Sequence, residues 1–160
     1  MRISRVIACF APGIGAGPEA IARLARDMQA ELLGLFLQDE ALLRFAALPF
    51  AAEVGFPSAT RRALDPAALE RALRAQAGSL ERAIASVLDP AALAWTFRVA
   101  RATPADAVHA ALAEGYAPAL LIPPRSSLRA ERGIVRRREL TQEVLRELLA
   151  AARPVLILPE

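Results

Sequence analysis

Few side chains of this 160-residue chain could act as acids, bases, nucleophiles or metal ligands. The chain has one cysteine, one histidine and no lysine, since all 20 basic residues are arginine. A Walker-type phosphate loop, a pyridoxal enzyme and a response-regulator receiver domain each need a lysine, so these three classes are excluded. No pair of carboxylates ends a predicted strand to supply a general acid and base. We therefore expect that the protein is not an enzyme.

The single cysteine and the single histidine are both predicted to be structural. Cys9 falls within an apolar run, residues 3–10, where a thiol packs as a small hydrophobe and lacks the positive charge that activates a nucleophile. His109 falls in a predicted helix with no second histidine or cysteine beside it. We therefore expect His109 at a surface or half-buried helix position, and no metal site.

The basic charge is concentrated in one segment. Residues 125–138 hold six arginines and one acid, Glu131, for a net charge of +5 in a chain whose total is +3. Arginine binds oxyanions bidentately, so this segment, which begins at Arg125, is a candidate anion site. The plainer alternative is a solvated loop. No aromatic residue lies in the segment to stack on bases, so we do not expect nucleic-acid binding.

Two predicted strands flank the arginine segment. Residues 119–122 are apolar and stop at Pro123, and residues 155–158 form a second apolar run after a proline. Between them, residues 139–152 place apolar side chains at helical spacing. Strand, helix and strand, with both strands unbroken apolar, predict a parallel pair that is buried on both faces. The segment after the first of these strands is where a doubly wound sheet binds its ligand.

The remaining sequence continues this alternation. Residues 41–56 are apolar but irregular; we interpret them as a loop folded over the sheet edge, with an initial short helix at 40–47 and a partner surface or lid as alternatives. The turn after the first strand contains Pro12 and Gly13 and could cradle a phosphate. Its spacing is not Gly-x-Gly-x-x-Gly, so a plain turn is favoured. Strands are predicted at residues 3–10, 32–37 and 95–100, and helices begin at Pro18, Pro66 and Pro104.

These elements predict one α/β domain with a doubly wound, five-stranded parallel sheet and helices on both faces. We expect the run at residues 3–10 to be the central strand, and no antiparallel pairing within the chain. No apolar run approaches the ~18 residues that cross a bilayer, and the first residues lack a secretory signal. We therefore expect a cytoplasmic protein.

Two segments of the chain resemble motifs of the universal stress protein family. Residues 103–108, Thr-Pro-Ala-Asp-Ala-Val, are similar to the family's Gly-x-Pro-Ala-x-x-Ile segment. Residues 152–158, Ala-Arg-Pro-Val-Leu-Ile-Leu, are similar to its Ala-x-x-Pro-Val-Leu-Val-Val ending. The resemblance implies strand order 3-2-1-4-5, a homodimer through the C-terminal strand, and in many members ATP or AMP between the first and fourth strands.

The resemblance also implies which residues would form the nucleotide site. Binding members of the family have an aspartate at the end of the first strand and Gly-x2-Gly-x9-Gly-Ser/Thr after the fourth. In this chain Phe10 takes the aspartate position, Pro123 and Ser126 take the first two glycine positions, and the motif ends near Arg136 or Thr141. Proline supplies neither the amide nor the space that a glycine gives a phosphate. We therefore expect a degenerate site that binds no ATP or AMP in the family's manner.

Two functions follow from this resemblance. The first is a non-catalytic, dimeric regulatory or adaptor protein that acts on an unidentified protein partner. The alternative is a nucleotide- or anion-binding stress protein that uses arginines of the segment at residues 125–138 in place of the glycines.

Overall fold

The computed structural model describes residues 3–12, 17–38, 40–54, 58–114, 119–122 and 155–157. Strands and helices alternate along these residues, with one additional hairpin after the second strand. In chain order the elements are β1 (Arg5–Phe10), α1 (Pro18–Asp27), β2 (Glu31–Leu37), α2 (Glu40–Ala46), β3 (Ala52–Val54), β4 (Arg61–Ala63), α3 (Pro66–Leu88), β5 (Trp95–Ala100), α4 (Pro104–Ala113), β6 (Ala119–Ile122) and β7 (Val155–Ile157).

The main sheet has its strands in the order β5-β2-β1-β6-β7. Every neighbouring pair of strands in this sheet is parallel. β1 lies in the centre, as its uninterrupted apolar sequence predicts, because a central strand is covered on both faces. The predicted α/β class with a parallel sheet is confirmed.

Helices cover both faces of the sheet. Side chains of β1 and β2 alternate between two apolar clusters, since successive residues of a strand point to opposite faces. The first cluster includes Phe10, Phe36 and buried residues of α1 and α3, and the second includes Cys9, Leu35 and buried residues of α4. The α3 residues in the first cluster are Leu73, Ala77, Leu80, Ile84 and Leu88.

The helix starts follow from capping residues in the sequence. Asp65 caps α3, because its carboxylate accepts a hydrogen bond of 3.0 Å from the backbone N–H of Ala67, and Pro66 occupies the first turn. Thr103 caps α4 in the same way, accepting a bond of 3.2 Å from the N–H of Asp106. Among the described residues no helix combines the length and the apolar character needed to cross a bilayer.

The segment after β2 differs from its predicted structure. The interpretation of residues 41–56 as a loop is wrong, because they contribute to α2 and to β3. The alternative of an initial short helix at residues 40–47 is confirmed by α2. The expectation of no antiparallel pairing is also wrong, because β3 and β4 form an antiparallel pair outside the main sheet. Each of these strands has three residues, and those of β4 are all exposed, so no hydrophobic period marks the hairpin in the sequence.

The C-terminal quarter is described in part. β7 begins at the predicted residue and pairs with β6 through Leu121 opposite Ile157. The predicted helix at residues 139–152, the arginine segment at 125–138 and the turn at Gly13 lie outside the described residues.

Gly34 lets an aromatic side chain lie across the centre of the sheet. It stands in β2 between Ala8 of β1 and Phe97 of β5. A Cβ at this position would lie 2.8 Å from Cδ2 of Phe97 and 3.4 Å from Cδ1 of Ile84. The missing side chain therefore makes room for the Phe97 ring.

Replacing Gly34 by alanine is expected to lower the free energy of unfolding by about 1–3 kcal/mol, because the new methyl group overpacks the core. Gly78→Ala is the matched control, since Gly78 lies in α3 and a Cβ there meets only Nη1 of Arg82 at 3.4 Å. The control should raise the free energy of unfolding by about 0.5–1 kcal/mol, because alanine favours a helix. Urea denaturation measures both; equal effects of the two substitutions would contradict the close approach of Phe97.

Candidate functional site

The candidate site lies where the order of strands reverses. From β1 the chain passes to β2 and β5 on one side of the sheet, and then to β6 on the other. β1 and β6 are parallel neighbours, with Ala8 opposite Ile122, so their carboxyl ends share one edge of the sheet. In open α/β sheets ligands bind at this switch point, which is also the region to which the resemblance assigns the nucleotide.

Phe10 ends β1 at the switch point and is a core residue. Its side chain is 1% exposed and belongs to the cluster beneath α1 and α3. Its ring centroid lies 6.4 Å from that of Phe97, with the ring planes inclined at 43°. This is the tilted packing that aromatic pairs favour. The position that the resemblance assigns to an aspartate thus holds an apolar ring with no hydrogen-bonding group.

Of the predicted site residues, the structure places only two. Phe10 is followed closely by Pro12, which is half-buried in the turn after β1. The other predicted site residues lie outside the described part of the chain: Gly13, Pro123, Arg125, Ser126, Arg136 and Thr141.

A second group of polar residues, not predicted from the sequence, lies at the carboxyl ends of β2 and β5. Gln38 follows β2 and Arg101 follows β5, and the Nε of Arg101 donates a hydrogen bond of 3.3 Å to Oε1 of Gln38. Together with residues of α3 they line a groove of about 200 Å³. A polar residue directly after each of two predicted strands is the sequence signal that could have found this group, because parallel strands end at one edge.

Cys9 and His109 occupy the environments predicted for them. Cys9 is fully buried, and burial raises the pKa of its thiol from 9.0 to about 12, because the thiolate would lose its hydration. A protonated, inaccessible thiol is not a nucleophile. His109 lies on α4 and is exposed. In the described part of the chain, no three histidine, cysteine or acidic side chains form a group that could hold a metal ion.

Burial of Cys9 predicts how the folded protein responds to thiol reagents and to alkali. At about pH 8 iodoacetamide should label the native thiol far more slowly than the thiol of the denatured chain. Between pH 9.0 and about 12 the unfolded chain loses this proton while the folded chain keeps it, so the free energy of unfolding should fall by about 1.4 kcal/mol per pH unit.

Mass spectrometry of labelled protein checks the first expectation, and urea denaturation across this pH range checks the second. Cys9→Ala serves as the control, because without the thiol this part of the pH dependence should be absent. Rapid labelling of the native protein would contradict the burial of Cys9.

Comparison with known proteins finds structures with a similar fold, but no protein with a closely similar sequence. No protein-family model matches the sequence, and no curated protein matches it. A protein from the universal stress protein family of Burkholderia pseudomallei aligns over 99% of this chain and 98% of its own, with a TM-score of 0.59 and 18% identity. A universal stress protein in complex with cAMP aligns over 99% and 98%, with a TM-score of 0.55 and 15% identity.

A third structure, of hypothetical protein MJ0577, covers 100% of this chain and 98% of its own, with a TM-score of 0.61 and 11% identity. These likenesses extend over nearly the whole of each chain, although the sequences have diverged widely. Together with the parallel sheet built around β1, they show that this chain has the universal stress protein fold.

Proposed function

We propose that this protein is a cytoplasmic, universal-stress-like regulatory or adaptor protein with a degenerate nucleotide site and no catalytic activity. The observation that carries the proposal is the burial of Phe10 at the end of β1, where the resemblance assigns an aspartate. A side chain of this kind offers a nucleotide no hydrogen bond and no charge. Its ring is also fixed against Phe97, so it belongs to the core instead of to a cleft.

The chemistry of the described residues agrees with a non-catalytic role. The thiol of Cys9 is buried and its pKa is raised to about 12, so it does not ionise near neutral pH. General acid–base catalysis needs a group whose pKa lies near the working pH and which reaches the substrate. Cys9 meets neither condition, and the two described residues of the predicted site, Phe10 and Pro12, carry no titratable group.

An exposed apolar surface supports the proposal that the protein binds a protein partner. Four large apolar side chains in the stretch from α2 to the end of β3 are exposed, and an adaptor needs a surface of this kind to bind another protein. Phe50 and Val54 are the most exposed of them, at 66% and 67%. The other two are Phe45 and Leu48.

The arginine segment supports a second candidate function, an anion- or nucleotide-binding stress protein. Residues 125–138 carry a net charge of +5 and are separated from β6 by Pro123 and Pro124. One structure of the same fold is a universal stress protein in complex with cAMP, so this fold accommodates a nucleotide in that protein. In this chain arginines such as Arg125 and Arg136 would supply the contacts, as bidentate donors to phosphate oxygens.

Binding of ATP, AMP and inorganic polyphosphate should separate these two functions. Without the aspartate and the glycines, ATP is expected to bind no better than polyphosphate. Any binding should weaken as salt rises, because exposed charges are screened over a Debye length of ~8 Å at physiological ionic strength. Calorimetry at low and high salt measures this comparison, with Arg136→Ala and Thr141→Ala as paired variants. A salt-insensitive micromolar affinity for ATP, lost in Thr141→Ala and kept in Arg136→Ala, would show a working nucleotide site.

We also propose that the protein is a homodimer through β7. β7 pairs with β6 over three residues and stands last in the sheet, which supports the strand order 3-2-1-4-5 of the universal stress proteins. An edge strand presents a row of backbone donors and acceptors to any strand that can pair with it. A second copy of β7, related by a two-fold axis, would pair with it in the antiparallel sense.

Light scattering at micromolar concentration should therefore give the mass of a dimer. Ile157→Lys is expected to shift the protein to a monomer, because it places a charge in the proposed interface. The matched control is Val99→Lys in β5, the opposite edge strand, which should leave the dimer intact. A monomeric wild type, or a dimer unaffected by Ile157→Lys, would count against the interface.

A further inference from the structure

A groove of about 200 Å³ opens at the carboxyl ends of β2 and β5, beside the amino-terminal half of α3. It lies on the far side of β2 from the β1–β6 switch point, since β2 separates β5 from β1 in the sheet. It is therefore a different place from the proposed nucleotide site. Its lining consists of Gln38, Glu70, Arg74, Ala77, Val99 and Arg101.

Gln38 fixes the orientation of Arg101 in this groove. Gln38 is 6% exposed, and its backbone N–H donates a bond of 2.9 Å to the carbonyl of Ala100. Its Oε1 accepts the bond of 3.3 Å from Nε of Arg101. Gln38 engages Nε, and among the described residues the two terminal nitrogens of this guanidinium group have no other partner, so their donors point to no competing acceptor there. A guanidinium group held in one orientation binds a carboxylate bidentately at a lower entropic cost than a mobile one.

The charges of the groove favour a monoanion. Arg74 and Arg101 are positive and Glu70 is negative, so the lining carries a formal charge of +1. Within the described part of the chain, none of these three side chains forms an ion pair. One carboxylate would neutralise the lining, whereas a phosphate dianion would place a surplus negative charge beside Glu70.

The rest of the lining suits a short hydrocarbon tail. Val99 is 47% exposed on the α3 side of β5, and Ala77 forms part of the wall on α3. Covering such apolar surface contributes roughly 25 cal/mol per Å². A ligand with one charged end and one apolar end therefore matches the two parts of the groove.

We propose that this groove binds a small organic monocarboxylate. The carboxylate contacts the terminal nitrogens of Arg101, Arg74 adds positive charge, and the apolar tail covers Val99 and Ala77. Gln38 is a positioning residue, because it acts through Arg101. This site does not depend on the proposed regulatory function, since it uses none of the residues assigned to the nucleotide.

Butyrate is the probe for this proposal, with inorganic phosphate and butylamine as comparison ligands. NMR titration of the isotope-labelled full chain should show saturable shifts at the Val99 methyl groups and at Nε of Arg101 with butyrate, and weaker ones with the other two. Arg101→Gln is expected to reduce the affinity for butyrate about tenfold, because a charged hydrogen-bonding group is lost. Arg82→Gln, on α3 but outside the groove, should leave the affinity unchanged.

Two further variants test the separate parts of the argument. Gln38→Leu should weaken butyrate binding and make the Nε signal of Arg101 exchange faster with water, a change that a purely structural role of Gln38 would not produce. Glu70→Gln should raise the affinity for phosphate relative to butyrate, because the repelling carboxylate is gone. The proposal is overturned if butyrate gives no saturable shift, if Arg101→Gln and Arg82→Gln behave alike, or if wild-type protein binds phosphate as tightly as butyrate.

Discussion

The structure depends on the burial of β1 from Val6 to Phe10. Its side chains from Val6 to Phe10 are at most 1% exposed, because helices cover both faces and strands lie on both sides. An ionised group within such a strand would lose its hydration, which costs several kcal/mol unless a partner compensates. Phe10 satisfies this constraint with an aromatic contact to Phe97, which reaches across β2 because Gly34 has no side chain. The core therefore extends to the end of β1, at the edge where this fold class binds ligands.

Polar groups occur instead at the carboxyl ends of β2 and β5. β5 is less covered than β1, so its residues Arg98 and Val99 are exposed, and Arg101 follows directly. Gln38, the buried polar residue at the end of β2, is compatible with this environment because its amide oxygen accepts a hydrogen bond from Arg101. Since all the basic residues are arginines, the planar guanidinium group is the cation available to every anion site of this chain.

How far the sequence predicted the structure depends on how local each determinant is. β1, β5 and α3 were predicted closely, because the apolar run of β1, the alternation of residues 95–100 and the Asp65 cap each depend on neighbouring residues in the sequence. The β3–β4 hairpin was not predicted, since three-residue strands carry no usable period. The groove was not predicted either, because Gln38, Arg74 and Arg101 become neighbours only through the order of the strands. Phe10 was placed correctly at the end of β1, whereas its contact with Phe97 requires the fold.

The long interval between β1 and β6 has a consequence for folding during synthesis. β2 follows β1 after one short helix, so this pair can form as soon as the first part of the chain leaves the ribosome. β6 supplies the other neighbour of β1, but it lies at Ala119–Ile122, near the end of the chain. At roughly 5–20 residues per second, the second edge of β1 remains unpaired for on the order of ten seconds before β6 is synthesised. During that interval the backbone donors and acceptors on one edge of β1 are unpaired, which is the stage at which a chaperone or a second nascent copy would compete with β6 for them.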